Sequence, residues 1–426
     1  MTTSNIFSVL PGTAQKDAIS PLTVNIPESD LERTKTLLDL SNIPGECYEN
    51  SMPNGAQSLG LRREWLTEAK RAWESEFDWR AVESHINFFP GFTTSVPISR
   101  SPSKQEIKIH FIGLFSANPS ATPVVLLHGW PGSILEFLPL LNLFRAKYPD
   151  PGALPYHLIV PSLPGFTLSD PFPRDQHYGM EDVADVVNHL MSITLGFKSY
   201  LVQGGDIGSR IGRVLGARYE ECTSVLLNYS AFPAPEGFGM SALSEKELAG
   251  VKRGEWFRSN GCAYAMEQGT RPATIGLALS TNPVALLAWV GEKYLEWTDE
   301  ASFPPDAEFE ESGYKYSKRL MEEVIASVAF YWLTGRVHTS FYSYREAFAL
   351  QGPAPSSNAM YEVRKPKRFG FSYFPREVMP TPRKWIEGYT DVDFWREHEV
   401  GGHFAALEQP GEIMRDLEDF VKGLEG

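Results

Sequence analysis

The stretch SYLVQGGDIG, residues 199–208, decides the fold that this chain can adopt. Its first half is an apolar run typical of a buried strand, and a segment with helical spacing follows it. Glycines on both sides of Asp206 predict a nucleophile elbow, the strand-to-helix corner that holds its central residue strained and requires small neighbours. Glycines also recur at 208, 212 and 216. Because glycine weakens a helix by roughly 1 kcal/mol relative to alanine, this recurrence predicts a helix face packed closely against a sheet.

The aspartate at the elbow restricts the types of reaction that this site can catalyse. A serine that attacks a saturated carbon leaves an ether, whereas Asp206 leaves an ester that water can hydrolyse at its carbonyl. The residues therefore favour displacement at sp3 carbon, as in epoxide opening or carbon–halogen cleavage. No Gly-x-Ser-x-Gly stretch in the sequence offers a serine nucleophile instead. A glycine-rich turn with a solvated aspartate, or a distant nucleotide-binding fingerprint, is the alternative that this stretch alone leaves open.

An upstream turn predicts an oxyanion hole. The strand pattern at residues 122–127 ends in HGWPGS, residues 128–133, a tight turn that directs backbone N–H groups to one point. The N–H groups of Trp130 and of Ile207, the residue after the nucleophile, are predicted to form the hole. We expect His128 to be structural, because the turn uses its backbone.

A glycine-rich loop near the end of the chain carries the candidate base. His403, in GGHFAALE at residues 401–408, stands where the chain order nucleophile, acid, histidine places the base. His398 lies one residue too far from His403 for the zinc-binding His-Glu-x-x-His helix, and two glycines interrupt the stretch. We therefore expect no metal and no cofactor.

With these motifs the chain resembles the microsomal-type epoxide hydrolases of the α/β-hydrolase superfamily, including their soluble fungal members. The resemblance covers nearly the whole chain and rests on HGWP (128–131), GDIG (205–208), Tyr264 before GTRP (269–272), YRE (344–346) and GGHF (401–404). It implies an enzyme that converts epoxides to vicinal diols through an ester on Asp206, which water activated by His403 hydrolyses. It further implies that Tyr264 and Tyr344 hold the epoxide oxygen and that Glu377 orients the histidine.

Two of these assignments have rivals. Many fungal members carry aspartate where this chain has Glu377, and four other acidic residues stand near the histidine in sequence: Asp391, Asp393, Glu397 and Glu399. Tyr342 is the rival of Tyr344 as a donor to the epoxide oxygen. Among 17 tyrosines, only motif context favours the two that the resemblance selects.

The pattern along the chain predicts an α/β fold of the α/β-hydrolase type, with a mostly parallel sheet flanked by helices. Residues 1–103 are expected to form an N-terminal extension wrapping the core, with helices near 28–40 and 62–77. Residues 104–231 and 366–426 are the two parts of the core, and residues 232–365 form a helical lid rich in aromatic residues. Strands are expected at 105–115, 122–127, 157–161, 200–203, 224–228, 369–374 and 392–394.

The amino-acid composition restricts the classes of partner that this protein is expected to bind. A net charge of −14 over 426 residues, without a Lys/Arg-rich block, argues against nucleic acid. Three scattered cysteines fit a reducing compartment, and residues 1–20 resemble neither a signal peptide nor a membrane anchor. The uncharged stretch 272–291 is broken by STNP at 280–283, which predicts two short buried helices rather than a membrane span. We expect a soluble cytoplasmic enzyme that binds a small epoxide and water, and the resemblance implies a homodimer and a role in detoxification or aromatic-compound catabolism.

Two other functions share parts of this pattern. A haloalkane dehalogenase also uses an aspartate elbow but needs N–H donors for a halide, of which Trp130 could supply one. A ligand-binding relative without catalysis would not need the nucleophile, base and tyrosine pair that this sequence retains.

Overall fold

The computed structural model describes residues 5–51, 59–306, 316–347 and 361–424. A nine-stranded sheet with the order β1-β2-β3-β5-β4-β6-β7-β8-β9 forms its centre. The strands are β1 (Ile19–Leu22), β2 (Gly91–Pro97), β3 (Glu106–Leu114), β4 (Thr122–Leu127), β5 (Tyr156–Pro161), β6 (Tyr200–Gly204), β7 (Cys222–Leu227), β8 (Arg368–Tyr373) and β9 (Phe394–Glu397).

The sheet is parallel from β5 to β9 and antiparallel among β1, β2, β3 and β5. The central strands β5 and β6 are buried along their whole length, as parallel strands covered on both faces must be. The predicted mostly parallel sheet is thus confirmed. The carboxyl ends of β4, β6 and β8 share one edge, where the loops that follow them come together.

Fifteen α-helices are present in the described residues. They are α1 (Glu28–Leu40), α2 (Arg63–Ser75), α3 (Trp79–Asn87), α4 (Leu138–Lys147), α5 (Met180–Asn188), α6 (Asp206–Arg218), α7 (Glu245–Trp256), α8 (Ala263–Thr270), α9 (Pro272–Leu279), α10 (Pro283–Trp297), α11 (Lys318–Thr334), α12 (Tyr342–Ala347), α13 (Arg383–Glu387), α14 (Ala405–Glu408) and α15 (Pro410–Leu424). Helices α5 and α6 pack together against the sheet, and α4 packs against α15.

Helix α6 lies directly on the sheet, as its glycine spacing predicted. A side chain at Gly208 would overlap the backbone of Leu127 in β4, and one at Gly216 would overlap Val225 in β7. Close approach of helix and strands therefore requires these glycines. The packing fixes the start of α6, and with it Asp206, relative to the end of β4.

The sheet begins earlier than the sequence indicated. Strands β1 and β2 lie within the range 1–103 that was expected to precede the sheet, and they extend it on the antiparallel side. Both strands contain proline, and the four-residue β1 has two exposed positions, so neither carries the alternating pattern of a regular strand. The last strand, β9, also starts two residues later than expected. It is an edge strand, where charged residues such as Arg396 and Glu397 are tolerated.

Helices α7 to α12 occupy the range predicted as the lid, and we call them the cap. Residues 307–315 and 348–360 of that range lie outside the described residues. The stretch 272–291 forms α9 and part of α10, so the two predicted helices are present, but only Gly276 and Leu279 of α9 are buried and the prediction that both helices are buried is wrong for α9. Asn282 caps α10 by accepting the N–H groups of Val284 and Ala285. In the described part of the chain no single helix has the length and apolar composition to cross a membrane. Helices α9 and α10 reach that length and composition only together, and the pair is bent by 117°.

Candidate active site

Asp206 occupies the elbow between β6 and α6. Its φ is +42°, a conformation that costs a residue with a side chain on the order of 1–3 kcal/mol. Gly205 before it has no room for a side chain, because a Cβ there would overlap the amide of Asn228. The strain and the tight packing together hold the carboxylate at the first turn of α6, where the helix dipole favours a negative charge.

Two backbone N–H groups bind the carboxylate of Asp206. The N–H of Trp130 donates to Oδ1 at 2.8 Å, and the N–H of Ile207 donates to the same carboxylate. Both donors come from the turns that the sequence predicted, one after β4 and one at the start of α6. One carboxylate oxygen thus lies where an oxyanion would be stabilised.

His403 lies between two carboxylates. Its Nε2 is 3.3 Å from Oδ2 of Asp206, and its Nδ1 is 2.6 Å from Oε1 of Glu377. The N–H of Val378 also donates to that Glu377 oxygen at 2.5 Å. The side chains of His403 and Glu377 are only 2% and 3% exposed, whereas Asp206 retains 21%, so of the three it is Asp206 that faces open space.

The rival acids make other contacts. Asp393 forms ion pairs with Lys365 and Arg368, and Glu397 and Glu399 pair with Lys246. The structure therefore brings Glu377 to the histidine and gives these three carboxylates cationic partners elsewhere.

The two carboxylates change the protonation of the histidine. Burial alone would lower the pKa of His403, but the charge of Glu377 and the hydrogen bonds to Asp206 and Glu377 raise it above its usual value. Burial would raise the pKa of Asp206, and the contact with His403 and the two N–H donors lower it. The contact between the two side chains therefore favours a charged carboxylate on Asp206 and a proton on His403.

A second buried carboxylate shapes the loop that carries His403. Oε2 of Glu408 accepts the N–H groups of Asp299 at 2.7 Å and Gly402 at 2.9 Å, and Oε1 accepts the N–H of Phe404 at 2.9 Å. Sequence reasoning did not select Glu408. Its position five residues after the histidine, at the end of the short helix α14, is the signal that was available.

Tyr264 and Tyr344 lie in contact with each other, close enough to Asp206 for its charge to act on both. They project from the cap helices α8 and α12, their ring centroids are 5.6 Å apart, and their hydroxyl groups interact. Burial raises the pKa of both phenols well above the usual value, and the charge of Asp206 raises it further. Both phenols are therefore neutral hydrogen-bond donors at physiological pH.

Tyr342 lies apart from this pair. Its ring packs edge-on against Phe166 and Phe172, and its buried hydroxyl has no hydrogen-bond partner among the described residues. The structure thus places Tyr344, and not Tyr342, beside Tyr264.

Aromatic rings that sequence reasoning did not select enclose the histidine. Trp297 and Tyr229 contact the imidazole of His403 edge-on, at centroid distances of 5.0 and 5.7 Å. Trp297 also contacts Tyr264 at 5.2 Å, which links His403 to the cap. No local motif marks either residue, because both contacts join distant parts of the chain.

The fold and this site together define an α/β-hydrolase with an aspartate at the nucleophile position. Two family models match the chain: one described as "Epoxide hydrolase N terminus" over residues 19–137, and one described as "alpha/beta hydrolase fold" over residues 122–238. The predicted fold class is therefore confirmed.

Similar proteins specify the family. A protein of Dothistroma septosporum named "Putative epoxide hydrolase" is 41% identical over 97% of this chain and 92% of its own length. The solved structure of Aspergillus niger epoxide hydrolase is 43% identical, with a TM-score of 0.85, and the match covers 98% of this chain and 99% of that one. Juvenile hormone epoxide hydrolase from Bombyx mori shares the fold at 24% identity, with a TM-score of 0.78 over 98% of this chain and 97% of that one. The chain belongs to the epoxide hydrolase family, which confirms the predicted activity.

Proposed function

We propose that this epoxide hydrolase forms a covalent ester between Asp206 and its substrate and then hydrolyses it to a vicinal diol. One observation carries the proposal: Asp206 has Oδ1 bound by the N–H of Trp130, whose ring contacts both cap tyrosines, while Oδ2 lies beside His403. A carboxylate held in this way has one oxygen free to attack and a carbonyl already placed for hydrolysis.

The first half-reaction opens the ring. Oδ2 of Asp206 forms a bond to one epoxide carbon as the bond between that carbon and the epoxide oxygen breaks. Tyr264 and Tyr344 donate hydrogen bonds to the oxygen, and one of them transfers its proton to the developing alkoxide. The products of this step are an alkyl ester with a neighbouring hydroxyl group and a tyrosinate.

The second half-reaction cleaves the ester. Ester formation removes the negative charge of Asp206, and with it one of the interactions that keep His403 protonated, so the imidazolium gives its proton through solvent to the tyrosinate and can then accept another. Water attacks Cγ of Asp206 while His403 takes its proton, and the N–H groups of Trp130 and Ile207 stabilise the oxyanion. The tetrahedral intermediate then releases the diol as the histidine returns the proton to the departing oxygen. The proton left on Asp206 returns to His403, which restores the carboxylate, the imidazolium and both neutral phenols of the free enzyme.

An isotope experiment tests the covalent step. One turnover of excess enzyme with styrene oxide in oxygen-18 water should place the label on Asp206 and leave the new diol oxygen unlabelled. Trypsin releases residues 199–210, a peptide whose only side-chain carboxylate is that of Asp206, so mass spectrometry can locate the label there. Label in the first-turnover diol would mean direct attack by water and would overturn the proposal.

Two variants separate the half-reactions. Asp206→Ala should form neither ester nor diol. His403→Gln should form the ester and fail to hydrolyse it, so the intact protein should gain the mass of the epoxide. A His403→Gln protein that gains no mass, while the wild type turns over, would contradict the roles proposed here.

We also propose that the enzyme is a cytoplasmic homodimer that associates through the cap. Three large apolar side chains of the cap helices, Trp256, Met266 and Leu277, are 43%, 52% and 71% exposed. The three cysteines form no disulfide, which fits a reducing compartment. Sedimentation of the wild type and of Leu277→Glu tests the dimer, and cell fractionation tests the location; a monomeric wild type would refute cap-mediated association.

A further inference from the structure

Arg253 joins the cap to the segment that carries Glu377, and it has no part in the chemistry described so far. It lies half-buried on the cap helix α7. Its Nε donates to the main-chain carbonyl of Glu377 at 2.8 Å, and its Nη2 donates to the carbonyl of Glu296 at 3.0 Å. One planar guanidinium therefore connects α7, the end of α10 and residues 374–382 between β8 and α13, which we call the Glu377 loop.

Helix α7 packs on the Glu377 loop through two buried glycines. A Cβ at Gly250 would lie 2.9 Å from the Cβ of Pro380, so no side chain fits there, whereas a Cβ at Gly254 would make only ordinary contacts with the loop. Positions 250, 253 and 254 share one face of a helix. Arg253 thus reaches Glu377 from the face of α7 that is pressed against the loop.

The main chain of Glu377 has few other anchors. Among the described residues no backbone N–H donates to its carbonyl, and its own N–H makes a long hydrogen bond of 3.4 Å to the carbonyl of Phe374. Three torsions separate the carboxylate of a glutamate from its main chain. The 2.6 Å contact with His403 therefore depends on a main chain held in place, and Arg253 is the side chain that holds it.

The second hydrogen bond fixes the guanidinium itself. Glu296, whose carbonyl accepts Nη2, precedes Trp297, and the indole of Trp297 contacts the imidazole of His403 at 5.0 Å. Arg253 is therefore anchored to a part of α10 that already borders the histidine. The charge of Glu377 also acts on the guanidinium, which adds attraction to the hydrogen bond.

We propose that Arg253 is a positioning residue for ester hydrolysis, which acts through Glu377 to keep His403 in the orientation that activates water. This proposal rests on the covalent mechanism proposed above. A carboxylate that orients a histidine supports the work of that histidine as a base. Ring opening depends instead on Asp206 and the cap tyrosines, so loss of Arg253 should affect ester hydrolysis alone.

Single-turnover kinetics with styrene oxide tests this role, with ester formation and ester decay followed by rapid quench and intact-protein mass spectrometry. Arg253→Leu leaves the carbonyl of Glu377 without its donor and should slow ester decay about 10-fold while ester formation is unchanged. Arg253→Lys keeps the charge and a donor and should recover part of the rate. Lys252→Leu removes a cation from the adjacent, exposed position of α7, and as the matched control it should alter neither step. Ester decay at the wild-type rate in Arg253→Leu, or equal slowing of both steps, would overturn the proposal.

A double variant tests whether Arg253 acts through Glu377. In the Glu377→Gln background the orienting charge is already lost, so Arg253→Leu should slow ester decay little further. The same factor in both backgrounds would mean that Arg253 supports the fold in general, and would overturn the proposal.

NMR of the free enzyme provides a readout that does not involve the ester. The short hydrogen bond between Nδ1 of His403 and Glu377 should give a strongly deshielded proton signal, which Arg253→Leu should shift or broaden and Lys252→Leu should leave unchanged. The pKa of His403 should fall in Arg253→Leu, because the charge of Glu377 raises it. An unchanged signal together with an unchanged pKa would contradict the positioning role.

Two glycine variants keep the test decisive if Arg253→Leu does not fold. Gly250→Ala should push α7 away from the Glu377 loop and slow ester decay selectively, whereas Gly254→Ala, one turn further along α7, should not. Equal ester decay in the two variants would overturn the proposal. Absence of any ester in the wild type and in His403→Gln would refute the covalent mechanism, and the NMR signal would then still decide whether Arg253 positions Glu377.

Discussion

The indole ring of Trp130 lies nearly parallel to the phenol ring of Tyr264, with centroids 5.4 Å apart and an interplanar angle of 14°. The same indole contacts Tyr344 edge-on at 5.8 Å. Because the backbone N–H of Trp130 binds Asp206, one residue sets the distance between the carboxylate and both phenols. The cap tyrosines are thereby aligned with Asp206, which belongs to the core.

Removal of one tyrosine hydroxyl should slow ring opening. Tyr264→Phe and Tyr344→Phe should each lower the rate of ester formation by roughly 10- to 1000-fold, because each loses one positioned acid, and the double variant should form almost no ester. Phenylalanine preserves the ring contacts with Trp130. Rapid-quench measurement of ester formation provides the rates.

Tyr342→Phe is the matched control for this pair. Its ring packs against Phe166 and Phe172, so the loss of its hydroxyl should leave ester formation unchanged. A wild-type rate in Tyr344→Phe together with a reduced rate in Tyr342→Phe would exchange the two assignments.

Replacement of Glu377 by glutamine should slow ester hydrolysis selectively. The amide oxygen can still accept from His403 and Val378, so the geometry is kept, but the charge that stabilises the imidazolium is lost. The equivalent change in a serine-protease triad lowers the rate by about 10⁴-fold. We therefore expect Glu377→Gln to lower the rate of ester decay as well, and to lower the rate of ester formation less. Glu399→Gln, at a side chain that is 90% exposed, is the control. Equal rates of ester decay in Glu377→Gln and Glu399→Gln would mean that a residue other than Glu377 orients His403.

Loss of the negative charge of Asp206 should lower the pKa of His403. In the free enzyme, burial lowers this pKa, and the charge of Glu377 and the contacts with Asp206 outweigh burial and raise it. Asp206→Asn removes the contribution of Asp206, as ester formation does, so the imidazole should lose its proton at lower pH than in the wild type. NMR titration of the imidazole, assigned by comparison with His403→Gln, measures the change. An unchanged pKa would mean that ester formation does not activate the base.

The pH dependence of stability should reflect Glu408. Burial, only partly offset by its three N–H donors, raises the pKa of Glu408 to about 7 from 4.5. A carboxyl group whose pKa is raised by folding binds its proton more tightly in the folded state, so its contribution is full below pH 4.5 and is lost as the pH rises to about 7. The melting temperature of the wild type should therefore fall relative to that of Glu408→Gln as the pH rises from 4.5 to about 7. A difference that does not vary with pH would contradict the raised pKa.

Local patterns predicted the elements on which the chemistry is built. The elbow and the Trp130 turn are contiguous segments in which a buried strand runs into glycine-rich sequence, and such segments are visible without any tertiary information. The strand bounds predicted for these two segments, 122–127 and 200–203, agree with β4 and β6 to within one residue. Tyr264 and Tyr344 came from the resemblance alone, because a side chain that points at a reacting oxygen has no local signature among 17 tyrosines.

The parts of the fold and of the site that the sequence did not predict depend on contacts between distant segments of the chain. Trp297 contacts His403 and Glu408 binds the N–H of Asp299, and neither spacing nor composition reports such contacts. Strand β1 is recruited to the sheet by β2 rather than by its own sequence. These features follow from the assembled fold and could not be predicted from the chain alone.

The division of the site between two parts of the molecule has a consequence for how this enzyme can diversify. Asp206 and His403 come from loops at the ends of sheet strands, where Gly205, Gly208 and Gly402 leave no space for side chains, so variation there is suppressed by packing. The phenols come from cap helices, which lie outside the sheet and the tightly packed turns that follow its strands. Selection for new substrates, natural or in the laboratory, should therefore accumulate changes in the cap while the loops of the core stay fixed.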